Sequence, residues 1–374
     1  MQNKKLLIFH QHLATYRIDL YNALSKALTV HVLLTGGKKE LAALGFDLHE
    51  VNRQAGFSYQ YYSKGLYFGR HLISFIYYKV IKKFKPNIII ANELGINTLF
   101  AIVLRSLFKY KIFVTIDDSP KMALNYSWLR KYLRRYVITH VNGFFVVHPE
   151  ITNFLTQKFG IKRCKYHYLP IIQDEKILEN KLRDALPQSQ YIFEKYHLSG
   201  KKVILFIGRL VEVKNPGLLL EVFAELFKNS TDLRLVYVGD GMLEKKLKEY
   251  VISNHLTDVV YFTGRLTGVD LFAWYNVGQI FVLPSHYEPF GAVVNEAMVA
   301  GCKVLVSDSV GSSCLIHENN GIIFKTNDRY SLENALSQTI EKISPLEKIC
   351  ARNNNMNETF SVHVNQLIEF ICSP

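Results

Sequence analysis

The chain has 374 residues and carries 45 lysines and arginines against 32 aspartates and glutamates, a formal charge of +13. This length is enough for two domains of ordinary size, each with its own core. With 21% charged and 49% hydrophobic residues, the composition excludes a disordered or low-complexity protein. Residues 1–175 hold 25 Lys and Arg against 10 Asp and Glu, whereas residues 176–374 hold 20 against 22. The asymmetry predicts that the front half meets an anionic partner.

The cysteines and the apolar segments indicate the compartment. The cysteines are scattered without paired spacing, which favours a reducing cytoplasm over a disulfide framework or a zinc site. The apolar run before His10 is too short for a signal peptide. The most apolar long stretch, Asn87–Phe108, contains Glu93 and Arg105, whereas a membrane-spanning helix needs about 20 consecutive apolar residues. We therefore expect a cytoplasmic protein that is soluble or peripherally attached to a membrane.

Short apolar strands alternate with helical patterns twice along the chain. The strands predicted in the front half are Lys5–His10, Thr29–Thr35, Asn87–Ala91, Lys111–Ile116 and Gly143–Val147, with helices between them such as Tyr67–Phe84. Those predicted in the rear half are Lys202–Ile207, Leu233–Val238, Val259–Thr263, Ile280–Pro284 and Lys303–Ser307. Near-continuous apolar strands between helices are typical of parallel sheets covered on both faces.

The alternation predicts an α/β fold of two doubly wound, Rossmann-like domains that face each other across a cleft. We expect an N-terminal domain over 1–172, a C-terminal domain over 173–355 and a terminal segment over 356–374. The terminal segment has apolar residues at helical spacing and is predicted to be a docked amphipathic helix. Ligands are expected at the carboxyl ends of the strands.

Glycines and cations follow the strand that ends at Ile207. Gly208-Arg209-Leu210 comes first, and Lys214-Asn215-Pro216-Gly217 then begins a helix. Glycine permits a close backbone approach, and two cations beside a helix N-terminus make a site for a diphosphate. If this segment is considered by itself, the alternative is that Arg209 and Lys214 are ordinary solvated residues of a loop. The pattern G-x-x-x-x-G-K-[ST] of a P-loop does not occur here.

The most informative segment is Ser285–Met298, which reads S-H-Y-E-P-F-G-A-V-V-N-E-A-M. Glu288 lies in the loop after an apolar strand, and Gly291 begins a helix whose first N–H groups can bind phosphate or sugar oxygens. Glu296 lies five residues further along that helix. Two separated carboxylates suit the recognition of hydroxyls on two different rings. A pair of surface glutamates flanking an ordinary helix is the alternative.

The order G-R-L…K-N-P-G, V-G-D-G, F-T-G-R, L-P-S-x-x-E-P-F-G…N-E-A-M and A-G-C-K-V-L-V-S-D resembles glycosyltransferase family 4. Its members are retaining nucleotide-sugar enzymes of the GT-B fold. The resemblance covers roughly Lys201–Leu336 closely and the front domain loosely. It also implies that the final helix returns to the N-terminal domain.

The resemblance implies a role for each matching residue of the rear domain. Arg209 and Lys214, with Gly208 beside them, would hold the donor diphosphate and stabilise charge on the leaving nucleotide. Glu288 would meet hydroxyls of the transferred sugar, and Glu296 would bind the ribose. The remaining donor-binding positions are the backbone amides of Phe290, Gly291, Ala292 and Val293, and Leu266 bordering the base. No Asp-x-Asp motif or histidine cluster suggests a metal site, so we expect neither a metal nor another cofactor.

The front domain departs from the family pattern. His10–Arg17 stands where many relatives carry a Gly-Gly loop, and it resembles the corresponding segment of bacterial surface-polysaccharide and lipopolysaccharide members. Tyr16 is expected to border the acceptor, and Arg17 to bind donor phosphate or acceptor, with a surface-paired arginine as the alternative. Asp117 and Asp118 follow a strand where relatives often place a histidine. Asp117 is expected to orient a reacting hydroxyl and Asp118 to contact the acceptor, unless they cap the next segment.

Basic and aromatic residues are interleaved in the front half. Lys79, Lys82, Lys83 and Lys85 follow an apolar helical stretch, and Arg130, Lys131, Arg134 and Arg135 form a second cluster. This composition suits an anionic membrane surface, with a solvated helix face as the alternative. It could also bind nucleic acid, but no recognition motif accompanies it, so we expect no nucleic-acid partner.

The sequence thus predicts a retaining, hexosyltransferase-type enzyme at the inner face of the cell membrane. It would move a sugar from a UDP- or GDP-sugar to a lipid-linked or growing bacterial glycan. The alternatives are a GT-B nucleotide-sugar epimerase, a soluble transferase with a small acceptor, and an inactive member that serves as a partner subunit. A dinucleotide oxidoreductase is disfavoured because no G-x-G-x-x-G follows the first strand of either half.

Overall fold

The computed structural model of the chain describes residues 4–36, 48–68, 71–92, 95–116, 128–160 and 165–373, with only the backbone described at a few of these positions. The chain forms two compact units. One comprises Met1–Gln173 together with Phe360–Pro374, and the other comprises Asp174–Thr359. The second unit is therefore inserted, along the sequence, between two parts of the first.

The first unit alternates strands and helices along the chain. Its elements are β1 (Lys5–His10), α1 (Thr15–Ala27), β2 (Thr29–Leu34), α2 (Leu48–Gln54), β3 (Ser58–Tyr61), β4 (Leu66–Phe68), β5 (His71–Ile73), α3 (Ile76–Phe84), β6 (Ile88–Asn92), α4 (Ile96–Phe108), β7 (Lys111–Ile116), α5 (Trp128–Thr139), β8 (Gly143–Val146), α6 (Pro149–Phe159) and β9 (Tyr166–Tyr168).

Seven parallel strands form the main sheet of this unit, in the order β3-β2-β1-β6-β7-β8-β9. Leu6 of β1 lies opposite Val30 of β2 on one side and Ile88 of β6 on the other. All five residues of β6 are buried, as expected for a strand covered on both faces. Strand order reverses between β1 and β6, which is where a doubly wound sheet opens a crevice at its carboxyl edge.

One helix predicted from the sequence is shorter than expected. The segment predicted as helix Tyr67–Phe84 is an antiparallel hairpin of β4 and β5 up to Ile73, in which Leu66 lies opposite Ile73, and becomes helical only in α3. The hairpin follows Gly65, which has a φ of +150°, a backbone conformation that favours glycine and does not occur within a helix. Leu72 is buried while Ile73 is exposed, so the two neighbours lie on opposite faces of β5.

The last helix, α14 (Phe360–Cys372), completes the first unit, as the resemblance implied. Leu367 and Ile371 are fully buried. The ring of Phe370 stacks on His167 with centroids 5.2 Å apart and lies 5.6 Å from the ring of Phe113. These contacts place the helix against β7 and β9 of the main sheet.

The second unit repeats the architecture. Its elements are α7 (Glu175–Asp184), α8 (Leu186–Lys195), β10 (Lys202–Ile207), α9 (Pro216–Phe227), β11 (Leu233–Val238), α10 (Glu244–Ser253), β12 (Val260–Gly264), α11 (Gly268–Val277), β13 (Ile280–Leu283), α12 (Ala292–Val299), β14 (Lys303–Ser307), β15 (Gly321–Phe324) and α13 (Arg329–Lys342). Six parallel strands run in the order β12-β11-β10-β13-β14-β15. Within the described ranges, no helix has both the length and the hydropathy needed to cross a membrane.

Candidate functional site

The sheet of the second unit reverses its strand order between β10 and β13. Leu205 of β10 lies opposite Phe281 of β13, so the loops that follow these two strands leave the same edge side by side. Arg209 and Lys214 follow β10, and Glu288 follows β13. The chain therefore places its candidate cations and its candidate carboxylate at the edge where doubly wound sheets bind ligands.

The glycines at this edge allow three loops to approach one another. The N–H of Gly208 donates to the Val238 carbonyl at 3.0 Å, that of Leu210 donates to the Asp240 carbonyl at 2.7 Å, and that of Gly239 donates to the Gly264 carbonyl at 2.9 Å. Gly239 has a φ of +145°, and a β-carbon there would collide with the backbone of Gly208. The G-R-L and V-G-D-G motifs thus hold the loops after β10, β11 and β12 in contact.

Lys214 and Glu288 form an ion pair within this unit. Lys214 ends a short 3-10 turn, Glu212–Lys214, and Asn215 then caps α9 with a φ of +51°. The two side chains are only 15% and 14% exposed. The N–H of His286 donates to the Val213 carbonyl at 2.9 Å, so a backbone bond joins the two loops that carry the pair.

Burial and the neighbouring charge of Arg209 lower the pKa of Lys214 to about 8. The ion pair with Glu288 acts in the opposite direction and is outweighed. Arg209 itself is exposed. The positive charges of Arg209 and Lys214 are thus close enough to repel each other, and a bound anion would reduce that repulsion.

Backbone bonds fix the loop that carries Glu288. Its N–H donates to the Ser309 carbonyl at 3.2 Å, its carbonyl accepts from Gly311 at 2.9 Å, and the Phe290 carbonyl accepts from Ser312 at 2.7 Å. Phe290 is buried and acts as the apolar anchor of the loop. These contacts fix the backbone position from which the Glu288 side chain projects.

The helix after this loop presents its first N–H groups at the same edge. Gly291 caps α12 with a φ of +90°, a conformation that favours glycine. Ala292 and Val293 are its first two helical residues, and first-turn amides have no acceptor within their own helix. These amides, with those of Phe290 and Gly291, are the ones expected to contact the ligand.

Glu296 is half-buried one turn further along α12. The hydroxyl of Tyr275, on α11, donates to Glu296 Oε2 at 2.7 Å. The sequence prediction did not include Tyr275, because 21 residues separate the two and no local pattern links them. Leu266 follows β12 at the same edge and is half-buried.

Two serines at this edge were also missed by the sequence prediction. Ser285 and Ser312 are fully buried, and their hydroxyls have no hydrogen-bond partner among the described residues. A cavity of about 350 Å³ lies beside the site, bordered by Glu212, Asn215 and His286 among others. The side chains of Arg209, Lys214, Glu288 and Glu296 do not line this cavity.

The candidate residues of the first unit are only partly described. Tyr16 is half-buried at the start of α1, and the Arg17 guanidinium lies 6.0 Å from its ring centroid. Arg17 is 5% exposed and borders a small pocket with Leu169–Ile172 and Phe360, so it is a buried residue of the unit and not a surface one. Asp117 and Asp118 lie outside the described residues. Their expected roles stay predictions.

The family comparison concerns the second unit. Residues 188–356 match the family model described as "Glycosyl transferases group 1". This part of the chain is similar to that family, and the match covers a little less than half of the chain. In the described residues, no three His, Cys, Asp or Glu side chains come together as metal ligands would.

Similar proteins agree with this class. The chain is 29% identical over 131 residues to a 2-deoxystreptamine N-acetyl-D-glucosaminyltransferase of Niallia circulans. This match covers 35% of the chain and 34% of that protein. It is 34% identical over 167 residues to mannosylfructose-phosphate synthase of Agrobacterium fabrum, covering 42% of the chain and 36% of that protein. The chain thus spans about a third of the length of these curated relatives.

Over its whole length the chain is similar to a crystal structure of HepE from Anabaena in complex with UDP. The TM-score is 0.73 at 16% identity, and the match covers 100% of both chains. This likeness shows the fold. The predicted GT-B architecture of two Rossmann-like units is confirmed, and the family match supports the resemblance to glycosyltransferase family 4.

Proposed function

We propose that the chain is a retaining glycosyltransferase that moves a sugar from a nucleotide-sugar donor, a UDP- or GDP-sugar, to a glycan acceptor. The observation that carries the proposal is the half-buried Lys214–Glu288 pair at the switch point of the second unit, with the charge of Arg209 nearby. A donor of this class offers a diphosphate to the two cations and sugar hydroxyls to the carboxylate. The complex of HepE with UDP supports a nucleotide diphosphate as the common part of the ligand.

Each residue has a defined task in the proposed complex. Arg209 and Lys214 bind the diphosphate, and the amides of Phe290–Val293 contact sugar and phosphate oxygens. Glu288, released from Lys214 by the incoming diphosphate, accepts hydrogen bonds from the sugar hydroxyls. Glu296 accepts from the ribose, and Leu266 borders the base.

The proposed chemistry depends on charge at the leaving group. When the anomeric bond breaks, negative charge grows on the nucleoside diphosphate and positive charge grows on the sugar. Cations held in place before the reaction stabilise that charge without reorganising. Because Lys214 is largely shielded from water, its charge acts more strongly on the diphosphate than an exposed lysine would. These residues supply the required charge in our proposal, so we expect a chelator to leave transfer unchanged.

We propose that the first unit meets the acceptor and an anionic membrane. Residues 63–111 contain nine lysines and arginines and a single acidic residue, Glu93. On the same part of the unit, large apolar side chains are exposed: Leu66 (75%), Phe75 (83%), Val103 (64%) and Leu107 (68%). Tyr78 of α3 and Phe108 of α4 lie 5.8 Å apart, so the outer faces of the two helices are joined.

We name this membrane-facing surface the α3–α4 surface, after Phe75, Tyr78, Lys79 and Lys82 of the α3 segment and Val103 and Leu107 of α4. Exposed aromatic and aliphatic side chains insert at the headgroup boundary, and the surrounding lysines attract anionic lipids. A protein held there would reach a lipid-linked glycan at the inner face of the cell membrane. The acceptor side chains would be Tyr16, Arg17 and Asp118, with Asp117 orienting the reacting hydroxyl.

The donor assignment is tested by measuring the melting temperature with UDP, GDP, UDP-sugars and GDP-sugars. A ligand that binds only the folded chain raises its stability, by about 2.7 kcal/mol at a hundredfold excess over Kd. We expect one nucleotide series to stabilise the wild type and to have no effect on Lys214→Ala. If no nucleotide changes the melting temperature of the wild type, the proposed donor site is wrong. Interconversion of the free nucleotide sugar without any acceptor would instead support the epimerase alternative.

A further inference from the structure

Tyr275 makes a hydrogen bond that serves the proposed site without touching the ligand. Its side chain is fully buried in α11. Its hydroxyl lies 2.7 Å from Glu296 Oε2 and 3.4 Å from the Val293 carbonyl oxygen, both in α12. A phenol donates readily to a carboxylate, and such a charge-assisted bond is stronger than one between neutral groups. One side chain thus reaches both the carboxylate and the first turn of α12.

The tyrosine is itself held in place. The guanidinium of Arg352 donates to the Tyr275 carbonyl at 2.6 Å. The aromatic ring packs near Phe272 and Phe281, with centroids 6.0 Å and 6.5 Å away. A ring that is fully buried among other aromatic rings cannot change rotamer without displacing them. The position of the Tyr275 hydroxyl is therefore fixed.

The tyrosine keeps its proton at neutral pH. Burial and the adjacent carboxylate of Glu296 both raise the pKa of Tyr275 well above its ordinary value. Its hydroxyl is therefore the donor in this bond, and Glu296 Oε2 is the acceptor. The bond fixes the rotation of the Glu296 carboxylate.

We propose that Tyr275 is a positioning residue that orients Glu296 toward the ribose hydroxyls of the donor nucleotide. The inference rests on the proposed function, in which Glu296 binds the ribose. Without the bond, the Glu296 side chain loses one of the contacts that restrict its rotation, and any freedom it gains must be lost again when nucleotide binds. This loss of freedom weakens the contact between Glu296 and the ribose, and it does not affect the contacts to the diphosphate or the base.

The test compares nucleotides that contain the ribose hydroxyls with nucleotides that lack them. Calorimetry gives Kd for UDP and GDP and for their 2′,3′-dideoxy forms, with wild type and with Tyr275→Phe, which keeps the ring. We expect Tyr275→Phe to weaken binding of the preferred ribonucleoside diphosphate about tenfold, in line with the loss of a hydrogen bond to a charged group. Binding of the dideoxy form should stay within about twofold of wild type by the same reasoning, because no hydroxyl is there to be oriented.

Two controls separate positioning from a purely structural role. Tyr237 is equally buried in the same unit, and its hydroxyl donates to the Pro216 carbonyl at 2.8 Å. Tyr237→Phe should lower the melting temperature without changing the ratio of the two Kd values. In a Glu296→Ala background, Tyr275→Phe should no longer alter that ratio, because the oriented side chain is gone.

The outcomes distinguish this inference from the function on which it rests. If wild type binds ribonucleotide and dideoxynucleotide and Tyr275→Phe leaves their Kd ratio unchanged, Tyr275 does not position Glu296, whatever happens to stability. If wild type binds no nucleotide, the proposed function is overturned and the inference falls with it. Each Kd ratio comes from one protein preparation, so a partly unfolded variant does not distort it.

Discussion

Gly311 lies directly against Pro289, and a β-carbon on Gly311 would collide with the Pro289 carbonyl oxygen. The N–H of Gly311 also donates to the Glu288 carbonyl at 2.9 Å. The position of Glu288 therefore depends on a glycine 23 residues away in the sequence, on the loop after β14. This dependence leads to the first prediction.

Gly311→Ala should destabilise the protein by about 2–4 kcal/mol and should displace the Glu288 loop, because backbone atoms on both sides must move. Thermal unfolding measures the first effect, and sugar-dependent donor binding measures the second. Gly217→Ala is the matched stability control, since nothing lies within 4 Å of a β-carbon there. Equal melting temperatures for the two variants would contradict the close approach.

The second prediction concerns pH. Since the pKa of Lys214 is lowered to about 8, the free protein loses this cation as the pH rises through that value. Binding of the preferred nucleoside diphosphate should weaken about tenfold between pH 7 and pH 9, if only the protonated lysine binds. Calorimetry at several pH values measures this. Lys214→Arg should flatten the dependence, because arginine stays charged.

The same group affects stability in the opposite direction. The folded-state pKa is below the ordinary lysine value of 10.5, so between about pH 8 and 10.5 the unfolded chain binds more protons than the folded one. The contribution of Lys214 to the free energy of unfolding should therefore increase with pH across this window. The difference in the free energy of unfolding between wild type and Lys214→Met, measured at several pH values, gives this contribution. A contribution that decreases across the window would contradict the lowered pKa.

The third prediction separates the roles of Lys214 and Glu288. Glu288→Gln should reduce the rate of transfer by at least about a hundredfold, the scale seen when an electrostatic contact of a transition state is removed. It should leave nucleoside diphosphate binding intact, because Lys214 remains for the phosphates. Lys214→Ala should lose both sugar transfer and nucleoside diphosphate binding. Steady-state kinetics and calorimetry on the same preparations check this, and near-normal turnover of Glu288→Gln would show that its assigned role is wrong.

The fourth prediction concerns the α3–α4 surface. Binding to vesicles of phosphatidylglycerol should be strong at low salt, and reversing two charges with Lys79→Glu and Lys82→Glu should weaken it at least about tenfold, because each lysine near the headgroups contributes about 1 kcal/mol. Phe75→Ser should weaken binding without changing its salt dependence. Co-sedimentation measures both effects.

The control for this prediction lies in the other unit. Ile252 of α10 is also a highly exposed apolar residue. Ile252→Ser should leave vesicle binding unchanged. Equal losses from Ile252→Ser and Phe75→Ser, or binding that does not respond to salt, would contradict a specific α3–α4 surface.

The sequence predicted the parts of the fold that have a strong local pattern. Strands such as β10, with near-continuous apolar residues, were predicted with their observed bounds. β3 (Ser58–Tyr61) was not predicted, because it is only half-buried and its composition is mixed. The helix predicted to begin at Tyr67 was wrong up to Ile73, because its aromatic and aliphatic residues suit a hairpin as well as a helix.

The candidate site shows the same division. The motifs predicted Lys214 and Glu288 as site residues because glycine, proline and charged residues occur at fixed spacing near them. Tyr275 carries no such signal, since its partner Glu296 is distant in the sequence. Ser285 belongs to one of the motifs and Ser312 lies on the loop after β14, but the burial of their hydroxyls follows only from the packing of the folded unit.

The return of α14 to the first unit has a consequence for synthesis. The second unit, Asp174–Thr359, is translated before the helix that covers Phe113 and His167 of the first. While the ribosome makes the second unit, the first presents an apolar face that α14 can cover only later. Growing chains should therefore need protection from association at this stage, and completion of the first core should wait for the synthesis of α14.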